Sequence, residues 1–332
     1  MKRSSYLGIM TILALLSLMA LPSHAQQASK QIYGLAAFNP GSASNAISVV
    51  VVSVINRYSD VRVTAEPISG ASRYGPLMEK GEIHLAFPTV ISQKEFYEGT
   101  RLTPQTSAMR TFGIGHRNLN GFICRGDRGI RRMEDLAGKK IFIDFPGVIS
   151  NNIIGLGLLK YYGIADKVTN LKISSTEAIF PAIIEGKADC AFFAVTPAAT
   201  EIKRTCGLAI PPIPPEVIKA VFGEKEPSIQ SGIYPKGYLG VVDVDSPVTL
   251  ANTIVMAYKD VPAEDVYKMK KAIYDHRAEI RKSYVMAADW ARTEIPWETI
   301  SPFHPGAIRF YKEVGTWTPQ AEALQQRLLK AK

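Results

Sequence analysis

The chain has 332 residues, 46% of them hydrophobic and 21% charged, with a formal net charge of +9. That length exceeds what one hydrophobic core usually organises, so two lobes are expected. The positive balance admits nucleic acid, acidic lipid or an anionic ligand. The basic residues, however, are scattered, with no run longer than Arg131-Arg132 or Lys139-Lys140, which argues against nucleic acid as a partner.

Lys2 and Arg3 precede an apolar run from Leu7 to Leu21, followed by Pro22 and Ser23-His24-Ala25. This is the pattern of a secretory signal over residues 1–25, with cleavage after Ala25. A spanning helix needs about 20 apolar residues, more than this run supplies, and no cysteine stands at the cleavage point to take a lipid. The mature protein is therefore expected in the periplasm, soluble, monomeric and not inserted in the membrane.

Short β-rich runs then alternate with helical patterns. Ile32 to Phe38 reads as a strand, Ser42 to Tyr58 as a helix, Val61 to Ile68 as a strand, Ser72 to Lys80 as a helix and Ile83 to Phe87 as a strand. A second series runs through strands at Gly121 to Cys124 and Lys140 to Phe145, a helix from Ile149 to Tyr162, a strand from Val168 to Ile173, a helix from Thr176 to Gly186 and a strand from Asp189 to Ala194. The alternation predicts α/β lobes, each a parallel-rich sheet between helices. Ile210-Pro211-Pro212-Ile213-Pro214-Pro215 cannot continue a helix or a central strand. Beyond it, Tyr238 to Val244 reads as a strand and Pro247 to Leu329 as a run of helices. The simplest topology returns the chain to the first lobe, so that 28–117 with 236–332 form one lobe and 118–235 the other. Crossings near His116 to Asn120 and Gly232 to Gly237 would make a two-strand hinge, with the ligand in the cleft between lobes.

Three strand-to-helix junctions share one design: Asn39-Pro40-Gly41-Ser42-Ala43-Ser44-Asn45, Ser69-Gly70-Ala71-Ser72-Arg73-Tyr74 and Asp144-Phe145-Pro146-Gly147-Val148-Ile149-Ser150-Asn151. In a doubly wound sheet such junctions lie where ligands bind, and free amides at a helix start attract carboxylate or phosphate. Simple helix capping would produce the same residue types. The ligand-binding candidates are Asn39, Ser42, Ser44, Asn45, Gly147, Ser150 and Asn151. Arg73 would add a charge fitted to a carboxylate, with Tyr74 and Phe193 as flat walls. Thr196, before Pro197, marks a fourth helix start. The ligand expected is a small organic anion, a monocarboxylate or dicarboxylate of modest size.

Cys124, Cys190 and Cys206 form no CxxC or Cys/His pattern, so neither a metal nor another cofactor is expected. A Cys190–Cys206 disulfide and buried core thiols are both open readings. No histidine falls in a GxSxG or HExxH context, so a binding protein is expected and an exported enzyme is the weakest alternative. A periplasmic sensor for a signalling partner is the other.

Asp135-Leu136-Ala137-Gly138-Lys139-Lys140, Pro146-Gly147, Glu185-Gly186-Lys187-Ala188-Asp189-Cys190 and the closing His304-Pro305-Gly306-Ala307-Ile308-Arg309-Phe310-Tyr311 resemble, in order and spacing, the TAXI family of TRAP-transporter solute-binding proteins. The resemblance implies a type II periplasmic-binding fold that closes on ligand and docks to TRAP membrane permease subunits. It departs where ligand is held. The family's Thr-Tyr-Tyr-Pro segment is replaced by Asn39 to Ser44, its Gly-Gly-Ser by Gly70-Ala71-Ser72-Arg73-Tyr74, its Pro-Gly-Ser-Gly-Thr by Pro146 to Ser150, and a Gln-Ser-Asp aligns only loosely with Thr89-Val90-Ile91, which adds Thr89 to the ligand-binding candidates.

Overall fold

Strand and helix alternate from the first described residue onward. The computed structural model describes residues 31–331 except 39, 41, 69, 100–103, 146–147 and 174. The signal segment at 1–25 and the candidates Asn39 and Gly147 therefore lie outside the described residues. β1 (Ile32–Ala37), α1 (Ala43–Tyr58), β2 (Arg62–Pro67), α2 (Tyr74–Glu79), β3 (Leu85–Ala86) and α3 (Val90–Glu98) lead into a long strand, β4 (Met109–Arg125). The middle of the chain supplies β5 (Lys140–Asp144), α4 (Ile149–Tyr161), β6 (Thr169–Lys172), α5 (Ile179–Ile184), β7 (Cys190–Phe193), α6 (Ala199–Cys206), β8 (Leu208–Ala209), α7 (Pro215–Val221) and β9 (Ile229–Tyr234). A second long strand, β10 (Ser246–Tyr258), precedes α8 (Ala263–Asp275), α9 (Arg277–Ser283), α10 (Pro305–Glu313) and α11 (Pro319–Lys330).

Local chemistry accounts for the elements. α1 starts where the Ser42 hydroxyl accepts from the Asn45 amide at 3.1 Å, and Ile47, Val51, Val54 and Ile55 form its buried stripe at helical spacing. α7 starts at Pro215, whose missing N–H costs nothing in the first turn. The strands follow the order β2-β1-β3-β10-β4-β7-β5-β6, with β8 on β4 and β9 on β10. β1 runs parallel to β2 and β3, and β5 parallel to β6 and β7. β4 and β10 run antiparallel to each other from Met109 opposite Tyr258 to Asn120 opposite Thr249.

Two sets of buried side chains surround this sheet. One contains Tyr33, Leu35, Val51, Phe112, Ile254, Val255 and Phe310, drawing on residues before 113 and after 253. The other, apart from Ile91, draws on residues 119–251, among them Phe122, Ile143, Leu158, Phe192 and Val248. These are the two lobes of an α/β fold in which β4 and β10 pass from one core to the other.

Three expectations need correction. Tyr238 to Val244 is not a strand: Tyr238–Gly240 is a 3-10 turn, with Leu239 at φ 49°. Pro247 to Leu329 is not all helix, because Ser246–Tyr258 is β10, buried on both faces and so without the alternation that betrays a half-exposed strand. Neither reading of the cysteines holds either. Cys124 and Cys190 stand opposite each other on β4 and β7 and are joined by a disulfide, leaving Cys206 free.

Glycines explain why β4 is inconspicuous in sequence. A Cβ at Gly115 would lie 2.2 Å from Thr253 Oγ1, and one at Gly113 would lie 2.5 Å from Lys270 Nζ, so both positions mark close approach rather than a turn. Lys270 is 2% exposed and is capped by the rings of Phe112, Phe310 and Tyr311 at 5.1, 5.0 and 4.5 Å. Burial pushes its ammonium down to about 7. The unfolded lysine titrates near its ordinary value, so between about pH 7 and 10 the unfolded chain binds more protons than the folded one. Stability should therefore rise with pH across that window, by on the order of 3 kcal/mol. Denaturant unfolding of Lys270→Met should lack this rise; an identical pH profile for variant and wild type would refute it.

Candidate functional site

The starts of α1 and α4, which belong to different lobes, meet across a cavity of about 80 Å³. Larger grooves lie on the surface, but this partly open one is lined from both lobes. The first lobe contributes Phe38, Ser42, Ala43, Ser44 and His116, and the second Val148, Asn151, Phe193 and Thr196. Asn118, Leu119 and Asn120 of β4 run through the junction, with Tyr234, Tyr238 and Met286 completing the wall. Among the described residues no Asp, Glu, Lys or Arg lines it.

Each wall is held by identifiable bonds. Asn45 is spent on structure, its amide nitrogen donating to Phe38 O at 2.9 Å, so it fixes the approach to α1. On the opposite side Asn152 brackets Phe145, accepting from its N–H at 2.9 Å and donating to its carbonyl at 3.4 Å; this ties the β5 end to the first turn of α4. Asn151 is 2% exposed. Its Nδ2 donates to Phe192 O at 3.3 Å, while Oδ1 is buried with no partner among the described residues. The Tyr234 hydroxyl accepts from Val195 N at 2.9 Å and donates to Leu119 O, so it braces the wall. Burial pushes the Tyr238 phenol up to about 12, leaving it a neutral donor. His116 is 3% exposed, with Nδ1 at 3.3 Å from Thr253 Oγ1. Burial depresses its imidazole to about 4, so it is uncharged at neutral pH.

The structure thus brings together five of the expected residues: Ser42, Ser44, Asn151, Phe193 and Thr196. It places five others elsewhere. Arg73 is exposed and lies outside the lining, and Tyr74 is 1% exposed within the first-lobe core, so it offers no stacking face. Thr89 is the cap of α3, its hydroxyl accepting from Ser92 N at 3.2 Å. Ser150 is buried in the first turn of α4, and Asn45 is occupied as described. Asn118, Leu119 and Asn120 of β4 and the Tyr234 to Tyr238 segment went unnoticed as lining. The chain carried a faint signal for them: polar Asn118 and Asn120 flank Leu119 at a crossing between lobes.

Among the described residues no helix is long and apolar enough to cross a membrane, and no group of three or more His, Cys, Asp or Glu side chains is placed to hold a metal. The architecture resembles MatC from Rhodopseudomonas palustris with bound malate, at TM-score 0.55 and 12% identity, covering 91% of this chain and 99% of that one. It also resembles the periplasmic binding protein BugD, at TM-score 0.53 and 11% identity over 90% of this chain and 97% of that one. A further periplasmic transporter gives TM-score 0.52 and 15% identity over 92% and 98%. Two lobes on a mixed sheet, joined by two long strands over a cleft, are the fold of the periplasmic binding proteins. Within that class the chain belongs to the NMT1-like family, which matches residues 42–315.

Proposed function

We propose that this protein is an exported solute receptor that captures a small carboxylate between its lobes and delivers it to the membrane permease subunits of a TRAP-type secondary transporter, as the TAXI resemblance implies. The observation that carries the reading is the convergence of two helix starts, one from each lobe, on a single cavity. Oriented amides and the positive ends of two helices favour a carboxylate there, and a ligand touching both lobes would hold them together. The Cys124–Cys190 disulfide suits an oxidising compartment such as the periplasm. The lobes are proposed as 28–117 with the C-terminal region against the segment from 118; the sequence reading drew the second boundary at 236, and we draw it instead inside β10, where Ala251 packs in one core and Ile254 in the other.

A thermal-shift screen of organic acids tests the reading. Ligand at a hundred times its dissociation constant should stabilise the folded state by about 2.7 kcal/mol. Stabilisation by neutral sugars or cations alone, with no response to any acid, would overturn it. Arg73 supplies a second check. A charge-assisted bond in a closed site contributes about 1.5–3 kcal/mol, roughly ten- to a hundred-fold in affinity. With Arg73 outside the lining, Arg73→Ala should bind the acid found by the screen within about twofold of wild type. A tenfold loss would return Arg73 to the site.

A further inference from the structure

Among the described residues that line the cavity, His116 is the only one whose side chain can become a cation. Its ring is 3% exposed and meets Phe87 edge-on at 5.6 Å. Thr253 fixes which ring nitrogen carries the proton. The threonine hydroxyl has one proton and gives it to His116 O at 2.9 Å, so towards Nδ1, 3.3 Å away, it can only accept. Nδ1 is therefore the N–H and Nε2 bears the lone pair. Nε2 makes no bond among the described residues, and it is not shut in the core as His304 Nε2 is. It opens on the cavity that the ring lines.

No fixed charge decides the state of this ring. β10, which carries Thr253, has no ionisable side chain before Tyr258 at its far end. The neighbouring Arg117 is exposed and pairs at 3.3 Å with Asp289, on the 3-10 turn Val285–Ala291 that packs against β4. Glu298 accepts from Asn252 Nδ2 at 3.0 Å. The cavity wall adds the phenols of Tyr234 and Tyr238, both kept protonated by burial, and α1 brings only Ala43 and Ser44, behind its cap Ser42. Burial alone acts on the imidazole and keeps it neutral.

A carboxylate changes that balance. It leaves water for a wall made largely apolar by Phe38, Leu119, Val148, Phe193 and Met286, and so needs a counter-charge. An anion at hydrogen-bond distance favours the charged form of an imidazole by about ten- to a thousand-fold. Protonation at Nε2 breaks no existing bond, because Nδ1–H stays on Thr253. We propose that His116 takes a proton from solvent as a carboxylate enters the cavity, and that the imidazolium so formed is the counter-ion, its Nε2–H donating to the carboxylate. The proposal rests on the carboxylate reading above and adds how the site balances the charge. Uptake makes binding tighter as the pH falls, and the gain is lost as the pH rises through the value at which the bound ring titrates.

Calorimetric titration of the mature wild-type protein with lactate, pyruvate and benzoate tests this, since all three stay largely ionised between about pH 5.5 and 7.5. If the bound ring takes its proton about a hundred-fold more readily than the free one, the tightest of the three should bind roughly fourfold tighter at pH 5.5 than at pH 7.5. At pH 5.5, heats measured in buffers of different ionisation enthalpy should show uptake of about 0.7 proton per ligand. His116→Gln should bind with no uptake and without the pH dependence. The wild-type measurement stands whether or not the variant folds. Affinity unchanged across this range in wild type, or uptake that survives in His116→Gln, would overturn the inference and leave the carboxylate reading standing. Failure of all three acids at both pH values would overturn it too. A response to other acids in the wider thermal-shift screen would then keep the carboxylate reading, and no response to any acid would remove both.

Discussion

Unfolding free energy is expected to fall by about 3 kcal/mol for each of two histidines as the pH drops from 6.5 towards 4. His116 and His304 are 3% and 1% exposed, and burial, the dominant cause for both, depresses each imidazole to about 4. In the unfolded chain they titrate near 6.5, so across that window the unfolded state binds more protons and stability is lost as acid is added. The full contribution of the neutral rings is present above pH 6.5. Carboxylates held low in the fold act at lower pH. Burial alone would raise Glu79, but donation from Thr106 and from the Ser107 and Ala108 amides holds it below the ordinary range. Denaturant titrations at pH 7, 5.5 and 4.5 therefore isolate the histidines. His304 also caps α10 by accepting from the Gly306 amide at 3.2 Å, so His304→Asn keeps a capping oxygen while removing the titration. Together with His116→Gln it should remove most of the slope between pH 6.5 and 4.5, leaving only the part from His84, whose imidazole burial also lowers. A wild-type profile already flat there would show that neither ring is held neutral by the fold.

The double variant Cys124→Ala/Cys190→Ala should lose about 4 kcal/mol of stability. The bond closes a loop with a sequence separation of 66, and the chain-entropy model assigns a loop of that size roughly this value. It also fastens β7 to the distal part of β4, beyond the stretch paired with β10. The effect should appear as a shifted denaturant midpoint, and wild type under reducing conditions should match the variant. Cys206→Ala should change little, since that thiol is half-buried and bonds only within its helix turn, to Ile202 O at 3.5 Å. A loss under about 1 kcal/mol in the double variant would mean that the two lobe-two strands are equally well held by packing alone.

Much of the α/β alternation was legible because half-buried helices write their period into the chain. α1 and α4 were read to within a residue of their observed limits, and the start of α4 was recognised as a junction of the kind that now lines the cavity through Val148 and Asn151. What escaped notice did so for physical reasons. β10 is buried on both faces, and its run Ile254-Val255-Met256-Ala257 has no alternation to separate strand from helix. β4 is interrupted by glycines whose cause, the nearness of Thr253 and Lys270, lies far away in sequence. Cys124 and Cys190 are neighbours only across a strand pair, so spacing along the chain carried no trace of the bond. For the site, residue type outweighed position: Arg73 has the chemistry of an anion partner but lies in the open, and Asn118 and Asn120 line the cavity without belonging to any helix-start pattern.

The absence of charged side chains from the described cavity wall has a kinetic meaning. Long-range fields accelerate encounter, whereas hydrogen bonds and close packing act only after contact and govern how long a complex lasts. Helix-end dipoles fade within about one turn. Anions of the same charge share whatever attraction the net positive charge supplies, so they should enter this cavity at similar rates and differ chiefly in how quickly they leave. Discrimination among anions would then be read in residence time.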